Sequence, residues 1–296
     1  MTKLAFTRRD VLKAGAAFGG LAAVPMAGAA AESNAEPLHA PEDGGIPVAF
    51  LVSPGAVVID FGGPWEVFQD AVVTRLTQDK AAFRLYTVAK SLDPITASAG
   101  LKIVPNYSFE NAPQPKVIVI PAQSGAKEEA LEWLRKASTN ADVTMSVCTG
   151  AFVLAQTGLL AGKSATTHHG SYGRFAMQFH DIQLKRGVRF VEEGKLASAG
   201  GLSSGIDLAL RVVERYYGRD AALATADYME YQGKGWLDPS VNAAYAVKRP
   251  GLSCPVCTMP VDAKVSPSSA YNGKTYYFCS KNCKETFDQN PAGYLA

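Results

Sequence analysis

The sequence predicts an α/β protein with a mostly parallel sheet, followed by a small cysteine-bearing unit. Short apolar runs alternate with segments that carry apolar residues at helical spacing. This alternation indicates βαβ units and a sheet covered on both faces. The pattern ends near Trp236, where turn-forming residues such as Pro, Gly, Asn and Asp take over. Four of the five cysteines lie beyond that break, after Ser253.

Length and composition agree with a globular protein of about two domains, given about 100–200 residues per domain. The chain has 296 residues, of which 47% are hydrophobic and 19% are charged. Such values exclude a disordered, fibrous or collagen-like chain. The formal net charge is only +2. We therefore expect no nucleic-acid partner, because that would require a strongly basic surface.

Residues 1–31 are predicted to be an export signal. Arg8 and Arg9 precede an uncharged, Ala- and Gly-rich stretch that ends in small residues, as cleavable signals do. Paired arginines in this position are typical of twin-arginine signals. A membrane anchor is the alternative, but a spanning helix needs about 20 strongly apolar residues. We therefore expect a periplasmic protein without a stable membrane anchor after cleavage.

The sequence also predicts the domain boundaries and the order of strands and helices. Residues 32–45 are predicted to be a flexible leader, 46–236 the α/β domain, 237–252 a linker and 253–296 a separate domain. The apolar runs predict strands at 46–52, 82–88, 117–120 and 143–147. Helical spacing predicts helices from Pro64 onward and at 126–137, 149–157, 205–217 and 220–231. Pro64 is placed at a helix start because proline suits the first helical turn.

Cys148 lies where an apolar strand ends and a helix begins. A sharp strand–helix turn presents a nucleophile at the edge of a sheet, and ligands bind beyond the carboxyl ends of parallel strands. The helix N-terminus predicts a lowered pKa for the thiol, and Gly150 permits close approach of backbone or ligand. The alternative is a buried structural thiol, since free cysteine is often buried.

Several ordered motifs carry a family resemblance. They are Ser-Val-Cys-Thr-Gly-Ala at 146–151, Ala-Thr-Thr-His at 165–168, Asp-Phe-Gly-Gly-Pro-Trp-Glu-Val-Phe at 60–68, and Ala-Gly-Gly-Leu-Ser-Ser-Gly-Ile-Asp at 199–207. Together they resemble the ThiJ/PfpI superfamily, in particular the isonitrile hydratases and the amidotransferase-like sensor domains of some transcription regulators. The resemblance implies a flavodoxin-like sandwich, usually dimeric, over about 46–236, without a cofactor in this domain.

The resemblance also implies roles for individual residues. Cys148 would attack an electrophilic carbon, Asp60 would be its acid/base partner, and Thr149 would steady the intermediate. A carboxyl group beside a thiolate is pushed towards its protonated form and can then donate a proton. Without the resemblance, Asp60 can equally be a turn or cap residue before Pro64. Gly150 and His168 would face the substrate; His168 and His169 are adjacent, so at most one is expected to do so.

Three departures from the family pattern bear on function. Ala122 and Gln123 replace a common Gly-Gly pair, so their N–H groups are candidates for the anion hole. Thr149 stands where the peptidase-like branch has histidine, so no protease is expected. No helix-turn-helix segment follows and export is predicted, so the regulator interpretation is not favoured.

The C-terminal unit carries Cys254, Cys257, Cys279 and Cys283. Two close pairs separated by a loop suit a tetrahedral thiolate site, and a unit this small needs a metal or disulfides for stability. Disulfide bonding is the alternative in an oxidising compartment, although twin-arginine substrates fold before export. The runs at 254–259 and 271–280 and the end of the chain resemble a YHS domain. This implies metal binding by all four cysteines, with Zn²⁺ or Cu⁺ suiting an all-thiolate site.

The leading functional hypothesis is an exported lyase of the isonitrile hydratase type with a metal-binding tail. It would convert an isonitrile into an N-substituted formamide. Two alternatives remain open from the sequence. One is a protein that binds a small ligand or heavy-metal ion without turnover, in sensing or trafficking, and the other is a thiol-based stress-response protein that acts through Cys148.

Overall fold

The computed structural model describes residues 36–42, 45–74, 76, 80–124, 127–245, 252–256 and 261–295. The predicted export signal, positions 32–35 and 43–44 of the predicted leader, and Cys257 lie outside the described residues. Within the described residues, no helix is both long enough and apolar enough to cross a membrane.

Strands are numbered in chain order. They are β1 (Ile46–Leu51), β2 (Phe83–Ala89), β3 (Ile95–Thr96), β4 (Lys102–Ile103), β5 (Tyr107–Ser108), β6 (Val117–Ile120), β7 (Val143–Val147), β8 (Ser164–Ala165), β9 (Gln183–Leu184), β10 (Phe190–Glu193), β11 (Leu196–Ala199), β12 (Ser268–Tyr271) and β13 (Lys274–Tyr277). Seven of them form the central sheet in the order β10-β11-β7-β6-β1-β2-β5. Only β10 runs antiparallel to its neighbour in this sheet.

The α-helices flank this sheet or follow it. They are α1 (Val58–Gln69), α2 (Glu128–Thr139), α3 (Gly150–Gln156), α4 (Tyr172–Gln178), α5 (Ser204–Tyr217), α6 (Arg219–Tyr228) and α7 (Lys281–Gln289). A short 3₁₀ turn, His169–Ser171, precedes α4.

The hydrophobic core lies in two layers, one on each face of the sheet. Successive residues of β1 belong to opposite layers: Phe50 lies in the layer that includes residues of α1, α5 and α6, and Leu51 lies in the layer that includes residues of α2, α3 and α4. Strands β6 and β7 are buried along their whole length. Strands buried on both faces read as continuous apolar runs rather than alternating ones.

The predicted fold class is confirmed: the chain forms a mixed α/β domain around a mostly parallel sheet, followed by a small C-terminal unit with a cysteine cluster. The structure corrects the placement of Pro64, which lies inside α1 because that helix begins at Val58. Its ring is buried against Gly205 of α5. Burial of this apolar ring offsets the backbone hydrogen bond that proline cannot donate.

Three sheet strands, β5, β10 and β11, were not predicted from the sequence. The pattern of β10 mixes one buried position with three half-buried ones, and Ser198 interrupts the apolar run of β11. Short strands of this composition resemble turns when only hydrophobic periodicity is read. Their position matters for function, because β11 pairs with β7 and ends beside Cys148.

The C-terminal unit is built from the hairpin β12–β13 and helix α7. Phe278 and Phe287 are fully buried and form its core with Cys254, Val256 and Tyr294. This core packs against α4 of the α/β domain. Met177 contacts it, and Gly173 lies so close that an added Cβ would be 2.4 Å from the carbonyl oxygen of Val256.

Candidate active site and cysteine cluster

Cys148 occupies a strained turn between β7 and α3. Its φ angle is +57°, a left-handed conformation that is uncommon for residues other than glycine. Its two shortest backbone hydrogen bonds come from opposite sides: the Cys148 N–H donates to the carbonyl oxygen of Gly200 at 2.8 Å, and the Thr167 hydroxyl donates to the carbonyl oxygen of Cys148 at 2.8 Å. The residue is only 7% exposed. The predicted strand–helix elbow is therefore present, and its sulfur lies below the surface.

Gly150 allows this elbow to pack against the loop after β6. An added Cβ would lie 2.1 Å from the carbonyl oxygen of Ile120 and 2.8 Å from that of Pro121. No side chain fits there, so only glycine lets the first turn of α3 approach this loop. The glycine thus serves close backbone packing, one of the two roles expected for it.

Asp60 lies in the first turn of α1, and the loop after β6 fixes its position. The Val57 N–H donates to the carbonyl oxygen of Ala122 at 2.8 Å, and the Val58 N–H donates to Ser98 Oγ at 3.1 Å. The Ala122 N–H in turn donates to Asp60 Oδ2 at 3.0 Å. In this structure, therefore, the Ala122 N–H serves the carboxyl group instead of standing free as an anion-hole donor.

Burial raises the pKa of the Asp60 carboxyl group to about 6, opposed by hydrogen bonds from the Ala122 N–H and the Cys148 thiol. Burial also raises the pKa of the Cys148 thiol to about 11, with a further rise from the charge of Asp60. The N–H groups of Leu202 and Thr149 and the Thr149 hydroxyl favour the thiolate but do not outweigh burial.

The expectation of a lowered thiol pKa is therefore wrong. The helix N-terminus favours the thiolate, but desolvation and the neighbouring carboxylate disfavour it more strongly. At neutral pH the site holds a Cys148 thiol beside an Asp60 carboxylate. Because the groups interact closely, they titrate as a pair that shares one proton over a wide pH range.

The structure places the other predicted site residues in different surroundings. Thr149 contacts the sulfur through its N–H and its hydroxyl, whereas Gln123 is one of the residues that line a separate cavity. The ring of His168 packs on the turn after β11, since an added Cβ at Gly201 would lie 2.6 Å from its Cδ2. The imidazole ring centroids of His168 and His169 are 4.4 Å apart.

His168 is held in one neutral form. Its Nδ1 accepts the Gly170 N–H at 3.1 Å, so the proton of the neutral ring lies on Nε2. Burial lowers the pKa of this imidazole, which favours the neutral ring. His168 can therefore donate a hydrogen bond beside the turn that carries Leu202, but it is poorly suited to carry a positive charge.

The sequence reasoning missed Leu202, whose N–H contacts the sulfur. It lies in the glycine turn quoted above, and its φ angle is +35°. A buried ion pair supports this turn: Arg189 pairs with Asp207 of α5, and its Nη2 donates to Ser203 Oγ at 3.2 Å. The motif signalled a turn, but only the fold showed that its N–H faces Cys148.

The second cysteine site lies in the C-terminal unit. The Sγ atoms of Cys254, Cys279 and Cys283 all lie within 4.8 Å of one another, and those of Cys279 and Cys283 are 3.6 Å apart. None of these three is disulfide-bonded. Ser280 caps α7 by accepting the Cys283 N–H at 3.2 Å, which fixes Cys283 at the start of the helix.

This cluster could hold a metal ion. Cys254 is fully buried and the other two thiols are half-buried. Burial raises the pKa of the Cys283 thiol to about 11, and neighbouring thiols add to the rise. Three converging sulfur atoms fit a soft cation such as Zn²⁺ or Cu⁺, which would stabilise the thiolates. Cys257, the fourth predicted ligand, lies outside the described residues.

Comparison with known proteins supports both parts of this description. Residues 47–215 match the DJ-1/PfpI family, and residues 253–296 match the YHS domain. A crystal structure of a ThiJ/PfpI family protein from Pseudomonas syringae is 28% identical and superimposes with a TM-score of 0.57, covering 71% of this chain and 83% of that one.

Two curated relatives differ in function. An isonitrile hydratase of Pseudomonas putida is 32% identical over 194 residues, covering 62% of this chain and 78% of the relative. The HTH-type transcriptional regulator CdhR of Pseudomonas aeruginosa is 25% identical over 182 residues, covering 60% of this chain but only 53% of the regulator. The family match and the first relative together establish that this chain belongs to the DJ-1/PfpI family and ends in a YHS domain.

Proposed function

We propose that this protein hydrates an isonitrile to an N-substituted formamide, with Cys148 as nucleophile and Asp60 as proton carrier. The observation that carries this proposal is the buried Cys148–Asp60 pair, which holds one exchangeable proton beside N–H donors. The similarity to an isonitrile hydratase supports it. The raised thiol pKa weighs against the stress-response alternative, since redox-sensor thiols are typically acidic and accessible.

The reaction needs one thiol, one carboxylate and water. Cys148 sulfur attacks the terminal isonitrile carbon while its proton passes to Asp60. Asp60 then protonates that carbon, giving a thioimidate, R–N=CH–S–Cys. Water adds to its carbon with Asp60 as base, the nitrogen gains a proton, and the C–S bond breaks. The thiol recovers its proton and R–NH–CHO leaves. The net reaction adds one water molecule to the isonitrile.

The residues around the sulfur have defined tasks in this scheme. Negative charge develops on sulfur as the proton leaves, and the N–H groups of Thr149 and Leu202 stabilise it. The same donors assist departure of the sulfur when the tetrahedral intermediate collapses. Asp60 changes between acid and base within one turnover, which a pKa of about 6 allows near neutral pH.

The YHS domain is proposed to bind Zn²⁺ or Cu⁺ through Cys254, Cys279 and Cys283 with Cys257. The converging thiols support this assignment. A bound ion would be coordinated by these thiolates and would thereby link the segments of this small unit that carry them. Export through a twin-arginine signal and a homodimeric state are further proposals; the sequence of residues 1–31 supports the first and the family resemblance supports the second.

A second candidate function is ligand binding without turnover. The observation that favours it is the hydrogen bond from the Ala122 N–H to Asp60, which leaves that N–H unavailable to a substrate oxyanion. The similarity to a transcriptional regulator is consistent with such a role. Product analysis separates the two candidates, because only the first forms a formamide.

The proposed function is tested by incubating the protein with phenyl isocyanide and measuring N-phenylformamide by mass spectrometry. Cys148→Ala should reduce the rate at least about 1,000-fold, as loss of a covalent nucleophile does. Cys283→Ala is the matched control, because it removes one thiol from the other cysteine site. It should keep the hydration rate within about twofold. Formamide production that survives Cys148→Ala, or is absent from the unmutated protein, would overturn the proposal.

A further inference from the structure

One hydrogen-bond donor to the Cys148 sulfur belongs to a turn outside β7 and α3. The Leu202 N–H contacts the sulfur, and Leu202 lies in the turn between β11 and α5. Its φ angle of +35° is positive, which is sterically costly for a residue that carries a Cβ. Such a backbone conformation persists only where the surrounding structure holds it.

Arg189 binds this turn at both ends. The Arg189 carbonyl oxygen accepts the Gly200 N–H at 2.8 Å, and Arg189 Nη2 donates to Ser203 Oγ at 3.2 Å. Gly200 in turn accepts the Cys148 N–H through its own carbonyl oxygen. These contacts lie on either side of Leu202 in the chain. The main chain and the side chain of one arginine therefore fix the segment whose N–H faces the sulfur.

A buried carboxylate fixes the direction of the guanidinium group. Arg189 Nε donates to Asp207 Oδ2 at 2.7 Å, and Asp207 is completely buried. The other carboxyl oxygen of Asp207 accepts the Tyr231 hydroxyl at 3.2 Å. Because arginine presents its donors in a rigid planar fork, the bond from Nε to Asp207 determines where Nη2 points.

The chain beyond α6 covers this ion pair. The Arg189 N–H donates to the carbonyl oxygen of Pro239 at 2.7 Å, and the Trp236 N–H donates to the Asp207 carboxyl group. An added Cβ at Gly235 would lie 2.7 Å from Arg189 Cγ and 2.7 Å from Asp207 Oδ2. The segment therefore packs directly on the pair and excludes water, which strengthens the attraction between the two charges.

We propose that Arg189 is a positioning residue for the reaction at Cys148 and acts through the turn that carries Leu202. This role rests on the proposed function, in which the sulfur gains negative charge during attack and again on departure. The Leu202 N–H has to face the sulfur at both steps, because a donor fixed in advance stabilises charge as it develops. Stability alone explains the ion pair poorly, since well-packed apolar residues often stabilise a protein as much as a buried ion pair does.

The first test separates kcat from KM for phenyl isocyanide in the full chain carrying Arg189→Lys. Lysine keeps a positive charge for Asp207 but lacks the planar fork that also reaches Ser203. The kcat should fall about 10- to 100-fold, with KM changed less than about twofold, because the Leu202 N–H acts on charge that exists only during the reaction.

Arg211→Lys is the matched control for this substitution. Arg211 lies further along α5, its side chain is similarly buried, and its Nε is 3.0 Å from Glu192 Oε2. The control therefore makes the same chemical change in another buried ion pair. It should keep kcat within about twofold of the unmutated protein, even where its Tm falls as much as that of Arg189→Lys.

Ser203→Ala removes the same contact from the other side and leaves the ion pair in place. It should lower kcat about three- to tenfold. Because both substitutions break one hydrogen bond between Arg189 Nη2 and Ser203 Oγ, their effects should overlap, and the double variant should lie within about twofold of Arg189→Lys. Effects that multiply would contradict a common route. This milder variant also tests the role if Arg189→Lys does not fold.

A further measurement does not require turnover. Alkylation of Cys148 by iodoacetamide at pH 8, followed by peptide mass spectrometry, depends on the thiolate fraction and on exposure of the sulfur. A displaced Leu202 N–H raises the pKa of the thiol, so Arg189→Lys should slow alkylation about threefold or more. The greater nucleophilicity of a more basic thiolate offsets only part of this loss. A site that is only loosened would instead expose the sulfur and accelerate alkylation.

The outcomes separate the role of Arg189 from the proposed reaction. Unchanged or faster alkylation in folded Arg189→Lys and Ser203→Ala, or an equal fall of kcat in Arg211→Lys, overturns the positioning role. If the unmutated protein forms no formamide, the proposed reaction fails, while slower alkylation in both variants still supports control of the sulfur by Arg189. Hydration with an unchanged kcat in both variants refutes the role of Arg189 alone.

Discussion

The two cysteine sites of this chain use their surroundings in opposite ways. At Cys148 a single thiol is held in a strained backbone conformation and paired with a buried carboxyl group. In the YHS domain three thiols converge from separate elements without a carboxylate among the grouped donors. The Cys148 site holds a proton that can be transferred, whereas the YHS site brings several sulfur atoms together as ligands for a cation. Their difference shows that the environment, rather than the cysteine itself, determines the chemistry.

The two sites also differ in what supports them. The elbow at Cys148 follows the carboxyl end of β7, an inner strand of a seven-stranded sheet that has a core layer on each face. Among the described residues of the C-terminal unit, five form the buried core that supports the cysteine cluster. A unit with so little buried apolar surface depends on additional stabilisation. The first site should therefore be stable without a metal, and the second should not.

Metal removal should have the largest effect and should affect only the second site. Zinc bound by a small domain contributes about 10–16 kcal/mol of apparent binding free energy that is also folding free energy. Treatment of the metal-loaded protein with a chelator should therefore unfold β12, β13 and α7. Hydrogen exchange followed by mass spectrometry should show loss of protection in these elements, with β1, β6 and β7 unchanged.

The Cys148→Ala protein is the control for this experiment and should respond to the chelator in the same way. Retained protection of the hairpin and α7 after complete metal removal would contradict the dependence on metal. Loss of protection in β7 would contradict the independence of the two sites.

Gly150→Ala should have the next largest effect, on the first site. The new Cβ would lie 2.1 Å from the carbonyl oxygen of Ile120, the last residue of β6, so either α3 or the end of this strand must move. Overpacking against backbone of this severity should lower the free energy of unfolding by about 4 kcal/mol or more. Urea denaturation of the α/β domain measures it.

Gly62→Ala is the matched control, since its Cβ would have no neighbour nearer than 4.0 Å and alanine favours a helix. It should unfold at an equal or higher urea concentration than the unmutated protein. A Gly150→Ala protein of unchanged stability would show that the elbow can relax, and would remove the requirement for glycine.

Asp60→Asn should stabilise the protein above pH 6. The pKa of Asp60 rises from 3.8 unfolded to about 6 folded, so the folded protein binds more protons between these values. Its stability therefore falls as pH increases through this window. Asparagine carries no charge and can still accept the Ala122 N–H. The free energy of unfolding of the variant, minus that of the unmutated protein, should increase by about 3 kcal/mol from pH 3.5 to pH 7.

The same variant tests the proposed reaction, because asparagine cannot carry a proton. Hydration should fall about 100- to 10,000-fold, and the unmutated rate should increase with pH through an apparent pKa of about 6 as the carboxylate forms. Asp181→Asn, at an exposed position, is the control for both measurements. A stability difference independent of pH would show that Asp60 is not buried as described.

The sequence could reveal some features of the two cysteine sites and not others. Strands β6 and β7 were predicted with their observed bounds because a short apolar run specifies a strand buried on both faces. The elbow at Cys148 follows from the same pattern. The thiol pKa was predicted in the wrong direction because the sequence shows a helix starting directly after Cys148 but not the depth of burial or the charge of Asp60. Leu202 was missed because a donor on the backbone has no signature in residue type.

Gly173→Ala should have the smallest effect and concerns the contact between the two regions. The new Cβ would lie 2.4 Å from the carbonyl oxygen of Val256 and 2.8 Å from the ring of Tyr294. Alanine is the better helix former, so α4 itself should persist while the YHS domain separates from it, at a cost of about 1–3 kcal/mol. Proteolysis between the domains should accelerate, with metal content unchanged. The elbow is held by Thr167 and Gly200, so the rate of Cys148 alkylation should change less than about twofold. A larger change would show that α4 transmits the state of one cysteine site to the other.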